Sequence, residues 1–264
     1  MSNIYNLKSR KKGEALISLK TSREMALMRD AGRIAAQALQ RVGELIKPGI
    51  TTFELDQAAA RFIQSCGAQP TFLGYNDFPA SACISVNNEV IHGIPSKKRV
   101  LRAGDIASVD LGATYRGYVG DTAYTFAVGT IPQAAKRLCE VTWEALLAGI
   151  AKALPGGKLG DISAAIQTIC ESAGYNVVRE YTGHGVGRVM HEDPCLPNFG
   201  TAGRGAKLRA GMTLAIEPMV NAGRSQIKVL PDKWTVITRD GSLSAHMEHT
   251  VAITNNGPVI LTEP

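Results

Sequence analysis

The sequence predicts an α+β fold built twice, in which two halves related by a pseudo-twofold share a central antiparallel sheet with helices on the outside. Three observations predict it. Capped amphipathic helices recur, each group followed by runs that alternate with a period of two. Pro48-Gly49 returns as Pro155-Gly156, and Leu101-Arg102-Ala103-Gly104 returns as Leu208-Arg209-Ala210-Gly211, both 107 residues further on. At the same offset Glu54-Leu55, Ala58, Ser65 and Gly67 answer to Asp161-Ile162, Ala165, Ser172 and Gly174. Agreement at one offset over two helices and a strand points to duplication rather than chance. The halves fall at about residues 21–130 and 131–264 of a single domain spanning 17–264, preceded by a basic arm at 1–16.

Thr21 with Glu24 forms a capping box, and Met25, Met28, Ile34, Ala38, Leu39, Val42 and Leu45 then recur at helical spacing until Lys47-Pro48-Gly49 stops the run. Thr51 with Glu54 opens a second helix that ends near Cys66-Gly67. Turn residues at 74–79 lead to a strand at 83–86. In the run ending at Asp110, Ile106 and Ser108 share the aspartate's face while Ala107, Val109 and Leu111 share the other, and a second strand opens at Asp121. A tight turn centred on Tyr115 and Arg116 sets Asp110 directly across from Asp121. Helices are expected over 132–154 and 161–173, each closed by glycine or Pro-Gly, with strands over 226–230 and 233–238. Glu248 begins the last hairpin, and His246 and His249 are expected to point away from it.

The 45% apolar content is that of a globular chain, and no apolar run approaches the roughly 18 residues of a membrane span. The first twenty residues lack the apolar core of a secretion signal. Five cysteines without a C-x-x-C pair read as thiols in a reducing, cytoplasmic compartment. Of the net charge of +6, five come from residues 1–33, Lys8, Arg10, Lys11 and Lys12 above all. Such an arm can touch ribosomal or other RNA phosphates, or simply be solvated.

Asp110 falls on Glu217 at the offset of 107, so a carboxylate closing one duplicated strand is matched by a carboxylate closing the other. With Asp121, Glu248 and His184, set between glycines in Gly183-His184-Gly185-Val186-Gly187, they make four acids and one imidazole. Burying four negative charges together is prohibitive without cations, and two divalent ions nearly balance them. The oxygen-rich set suits manganese, iron(II) or cobalt. Two ions about 3.5–4 Å apart can hold a bridging hydroxide and polarise a carbonyl, the machinery of metal-assisted peptide hydrolysis. Glu217 is then a candidate proton relay, and His92 and His191 are candidates to bind the scissile amide or its oxyanion.

At Ile91-His92-Gly93-Ile94-Pro95, Val109-Asp110, Gly120-Asp121-Thr122, Gly183-His184-Gly185-Val186-Gly187, Ile216-Glu217-Pro218-Met219 and Glu248-His249-Thr250 the chain resembles the type I methionine aminopeptidases, of the duplicated pita-bread (creatinase/aminopeptidase) fold, over about residues 17–261. The resemblance implies a monomeric enzyme that removes the initiator methionine from nascent chains whose second residue is small. It implies two metal ions on Asp110, Asp121, His184, Glu217 and Glu248, with Asp121 and Glu248 bridging. It also implies substrate contacts by His92 and His191, and a methionine pocket of Tyr75, Phe78, Cys83, Met190 and Trp234. Phe78 and Met190 depart from the tyrosine and phenylalanine of the commonest bacterial pattern, yet both stay apolar.

Glu248 follows Glu217 by only 31 positions, too few for the insertion of the type II enzymes. About twenty residues ahead of the first helix cannot supply the N-terminal domain of prolidases and proline aminopeptidases, and no cysteine precedes Cys66 to build a zinc-binding extension. The alternative is a non-catalytic binding protein of the same fold, acting on ribosome or RNA. Such proteins typically lose ligands, whereas all five positions are filled here.

Overall fold

The computed structural model describes residues 17–264, so the basic arm at 1–16 lies outside the described residues. In the first half, α1 (Ser22–Leu45) and α2 (Thr52–Ser65) precede β1 (Gln69–Pro70), β2 (Ala82–Val86), β3 (Glu89–Ile91), β4 (Ile106–Tyr115) and β5 (Tyr118–Ala127). In the second half, α3 (Gln133–Ala151) and α4 (Leu159–Ser172) precede β6 (Asn176–Val177), β7 (Thr182–Gly185), β8 (Glu192–Pro197), β9 (Thr213–Ile216) and β10 (Met219–Asn221). The chain continues through β11 (Ile227–Val229), β12 (Val236–Thr238), β13 (Ser244–His246), β14 (Glu248–Thr254) and β15 (Gly257–Ile260).

Both expected capping boxes form: the Thr21 and Thr51 hydroxyls accept the amides of Glu24 and Glu54, whose carboxylates accept the cap amides in return. The fourth helix starts at Leu159, two residues ahead of expectation, because Asp161 serves as its third helical residue and accepts the Lys158 amide at 2.7 Å. Helix α3 is likewise shorter than the expected 132–154, ending at Ala151.

One sheet joins the halves, in the order β1-β4-β5-β14-β9-β7-β8, with β2 also on β4 and β15 also on β14. The hairpin of each half therefore meets the other's at the β5–β14 pair. Duplication is visible in the backbone: Gly49 and Gly156 have φ of 94° and 92°, and Gly104 and Gly211 have φ of 97° and 95°. Equivalent bridges join Thr51 to Val100 and Lys158 to Lys207. The helices cover one face of this sheet. Ile34, Leu39, Leu55 and Ile63 pack on Val109 and Leu111 in the first half, and Leu138, Leu146, Ile162 and Ile166 pack with Leu214 and Val251 in the second. Each such buried leucine or isoleucine holds about 2–5 kcal/mol, measured as the cost of truncation to alanine. With that face sealed by helices, the opposite face is left for polar side chains.

Candidate active site

Strand register decides which side chains share the open face. The turn between β4 and β5 is Arg116-Gly117, with φ of 49° and 78°, the left-handed pair that a two-residue type I′ turn needs. Relative to a turn centred on Tyr115 and Arg116, pairing slides by two residues: Asp110 faces Ala123 and Asp121 faces Gly112. The direct Asp110–Asp121 pairing expected from sequence is thus corrected to a diagonal one. A slide of two keeps every side chain on its face, so both carboxylates still point the same way. Ala123 is also the partner of Glu248, and His184 is opposite Ala215, two residues before Glu217. Cys83 faces Asp110 across β2–β4. All five expected ligands come together on one face of the sheet where the halves meet.

His184 Nε2 stands 3.6 Å from Asp121 Oδ2 and 3.4 Å from Glu217 Oε1, and ligand atoms of Asp121, His184 and Glu248 all lie within 4.8 Å of one another. The His184 ring is held from behind by its Nδ1, 2.9 Å from the Gly185 carbonyl. Asp121, His184 and Glu248 are each at most 3 % exposed. Burial, reinforced by neighbouring carboxylates, pushes Asp110, Asp121 and Glu248 well above the ordinary carboxylate range, and burial pushes Glu217 up as well. Burial also holds His92 and His184 down to about 4.

The raised carboxyls mark a site short of positive charge. Asp110 Oδ1, Asp121 Oδ1, Glu248 Oε1 and His246 Nε2 are buried with no hydrogen-bond partner, a condition native proteins rarely leave uncorrected. Carboxylate oxygens with one imidazole nitrogen are a donor set suited to divalent cations. The residues present therefore fit a metal centre.

The five expected ligands share the wall of one cleft with Phe72, Tyr75, Phe78, Cys83, His92, Met190, His191 and Trp234. Every residue that sequence placed in the methionine pocket or against the substrate lines it. His92 has a φ of 58°, a kink after β3 that turns its ring edge-on to Tyr181 at 5.6 Å and Trp234 at 6.1 Å. The Tyr75 hydroxyl lies 2.7 Å from His191 Nδ1, and the His191 ring lies 4.3 Å from that of His184, tilted by 55°. Phe78 meets Trp234 edge-on at 5.0 Å, so a small apolar box ends at three imidazoles and four carboxylates.

A model of metallopeptidase family M24 matches residues 26–255. The chain belongs to that family, among its methionine aminopeptidases. The methionine aminopeptidase of Clostridium acetobutylicum is 54% identical over 247 residues, covering 94% of this chain and 99% of its own length. Methionine aminopeptidase 1 of Bacillus subtilis gives the same identity and coverage. In structure, the methionine aminopeptidase of Thermotoga maritima superposes with a TM-score of 0.93 at 47% identity, over 94% of this chain and 100% of that one. The prolidase of Pyrococcus furiosus reaches 0.75 at 26% identity and matches over only 65% of its length. The α+β pita-bread fold and a metal-dependent aminopeptidase function follow from this membership, and family M24 enzymes act with divalent metal. No helix of the described residues is long and apolar enough to cross a membrane.

Two further residues enter the site. His246, expected to point away from Glu248, instead brings Nε2 to 3.5 Å from Glu217 Oε2. Residues two apart along an extended chain share a face, so the spacing of His246 and Glu248 already carried that signal. His249, one residue on, does point to the helix side, where Nδ1 meets Thr262 Oγ1 at 2.9 Å. Phe72 completes the cavity floor from a loop that carries no periodic pattern. Cys66, Cys83, Cys139 and Cys170 are free thiols, and Cys83 is buried in the cavity wall.

Proposed function

We propose that this methionine aminopeptidase holds two divalent cations on Asp110, Asp121, His184, Glu217 and Glu248, with Asp121 and Glu248 shared between them. The observation that carries this is the set of buried, unpartnered carboxylate oxygens converging on one face beside an apolar box. Cobalt, manganese and iron(II) all suit that donor set. When bound, such ions supply Lewis acidity toward the scissile carbonyl and a water of lowered pKa.

The residues around them divide the remaining work. Tyr75, Phe78, Cys83, Met190 and Trp234 enclose the side chain of the substrate's first residue, which the unbranched, polarisable thioether of methionine fits. His92 and His191 face the scissile amide, and the Tyr75 hydroxyl fixes the His191 ring. Glu217 takes the proton from water as it adds to the carbonyl carbon, and returns it to the amine as the carbon–nitrogen bond breaks. His246 stands beside Glu217 from the adjoining strand, with Nε2 3.5 Å from its Oε2. The natural substrates on this reading are nascent chains beginning with methionine followed by a small residue, processed in the cytoplasm by a monomer.

Metal-stripped protein supplied with manganese, cobalt or iron(II) and offered Met-Ala-Ser and Met-Leu-Ser tests the reading. Methionine release is expected from the first peptide, about 10²-fold or more faster than from the second, because this reading requires a small second residue. No metal-dependent release from Met-Ala-Ser would refute it.

The arm at 1–16 is peripheral to this chemistry, and residues 17–264 are the catalytic unit. Deleting residues 1–12 is expected to leave tripeptide turnover within about twofold of the parent, while any contact with ribosomal RNA through the arm would weaken and lose its salt dependence. A collapse of tripeptide turnover would place the arm in the active site instead.

A further inference from the structure

The loop at 186–191, between β7 and β8, brings Met190 and His191 to the cavity, yet its tip is open to solvent, with Val189 56% exposed. Exposed loop tips are mobile unless tied, and a misplacement of about 1 Å in a catalytic group can cost on the order of 10²-fold in rate. What ties this one is a side chain from the other end of the chain. Lys20 is 7% exposed, just ahead of α1, and its backbone amide is anchored to the Gly211 carbonyl at 2.7 Å. Its Nζ reaches Glu192 Oε2 at 2.5 Å. The other oxygen of Glu192 accepts the Arg188 amide at 2.9 Å, so one carboxylate joins the loop's exposed arm to the buried lysine.

The third glycine of the Gly-His-Gly-Val-Gly run belongs to the same device. A Cβ on Gly187 would lie 2.4 Å from Glu192 Oε1 and 2.5 Å from Lys20 Cε. Gly187 leaves room for the ion pair, and its carbonyl accepts the Val119 amide at 2.8 Å. A second tie runs in parallel. The Arg188 guanidinium lies over the Tyr118 ring at 4.6 Å and reaches Glu24 Oε1 at 3.4 Å, and Tyr118 donates its hydroxyl proton to that same oxygen at 2.8 Å. Glu24 is meanwhile fixed by the α1 capping box.

We propose that Lys20, through its buried ion pair with Glu192, is a positioning residue that clamps the loop at 186–191 and so sets Met190 and His191 against the substrate. A buried lysine is costly to desolvate and is often replaceable by an apolar side chain without loss of stability. The directional, charge-assisted hydrogen bond is what an apolar substitute could not supply. This inference rests on the proposed roles of Met190 and His191.

The test compares Lys20→Met, Glu192→Gln and the double variant, all metal-loaded and full length. Each single change is expected to lower kcat/KM for Met-Ala-Ser about tenfold or more, with the double variant no worse than the weaker single one, since both break one device. Hydrogen exchange at the Val186, Gly187 and Arg188 amides should accelerate about tenfold while β4 and β5 exchange as in the parent. Glu192→Gln keeps an acceptor for Arg188 and carries the test alone if Lys20→Met does not fold. Parent kinetics in the single variants, additive losses in the double one, or faster exchange spread across β4 and β5 would overturn the clamp. A parent protein that releases no methionine would overturn the functional reading instead, and exchange would still decide whether the loop is clamped.

Discussion

Asp110→Ala is expected to cut metal-dependent methionine release by at least about 10³-fold and to leave the metal-free protein as stable as the parent or more so. The two halves of that expectation have one cause. Asp110 Oδ1 has no hydrogen-bond partner, and burial together with Asp121 and Glu217 raises its carboxyl well above the ordinary range. Removing it from the metal-free chain relieves repulsion and breaks no satisfied contact at that oxygen. Removing it from the loaded enzyme would take away one of the five proposed ligands. Most buried polar deletions lose stability, so a chain that loses turnover while keeping or gaining thermal stability marks a residue retained for function. Turnover with manganese, set beside melting curves in chelator, gives both readings. Normal turnover would remove Asp110 from the ligand set, and a drop of more than about 5 °C in chelator would show that it supports the fold.

The contrast between Asp110 and its neighbour Val109 explains why the centre was legible in sequence. Strand alternation sends Val109 into the helix-covered core and Asp110 out to the open face, and that assignment survives any error of two in register. The offset of 107 then carried Asp110 onto Glu217 without knowledge of either strand's partners. The turn was harder to read. Its signal was Gly117, which supplies the left-handed φ a two-residue turn needs, and the left-handed φ at both Arg116 and Gly117 selects the pairing. His246 was misjudged through parity, although the interruption of the strand between β13 and β14 at Met247 also obscures that run. Lys20 had no local signal at all. Its partner lies 172 residues away, and a single lysine before a capping box reads as surface until the fold brings Glu192 to it. Periodic patterns reveal faces, whereas one-to-one contacts between distant segments emerge only from the assembled fold.

Removing the metal is expected to make stability fall with pH, and the sign follows from two opposed groups. A carboxyl raised in the folded state holds a proton that the unfolded chain has already released. Its contribution is therefore present below about pH 4 and is lost as pH rises through the raised folded value. Asp110, Asp121, Glu217 and Glu248 all act this way. His92 and His184, held down to about 4, act oppositely. They cost stability as pH falls below the ordinary imidazole value near 6.5, and above it their contribution no longer changes. From roughly pH 7 upward the imidazoles no longer contribute, while the raised carboxyls and, nearer pH 9, the thiols of Cys83, Cys139 and Cys170 that burial holds protonated all make stability decline. In chelator the melting temperature should accordingly drop between pH 7 and pH 9. Saturating manganese favours the ionised acids and should raise the melting temperature by about 10 °C at pH 7, taking binding at 10³ times Kd. Metal binding must also release protons, and the metal-induced rise should widen toward pH 9. A rise of equal size at both pH values, with no proton release on titration, would mean that the carboxylates are already ionised without metal and that their burial is less costly than the geometry indicates.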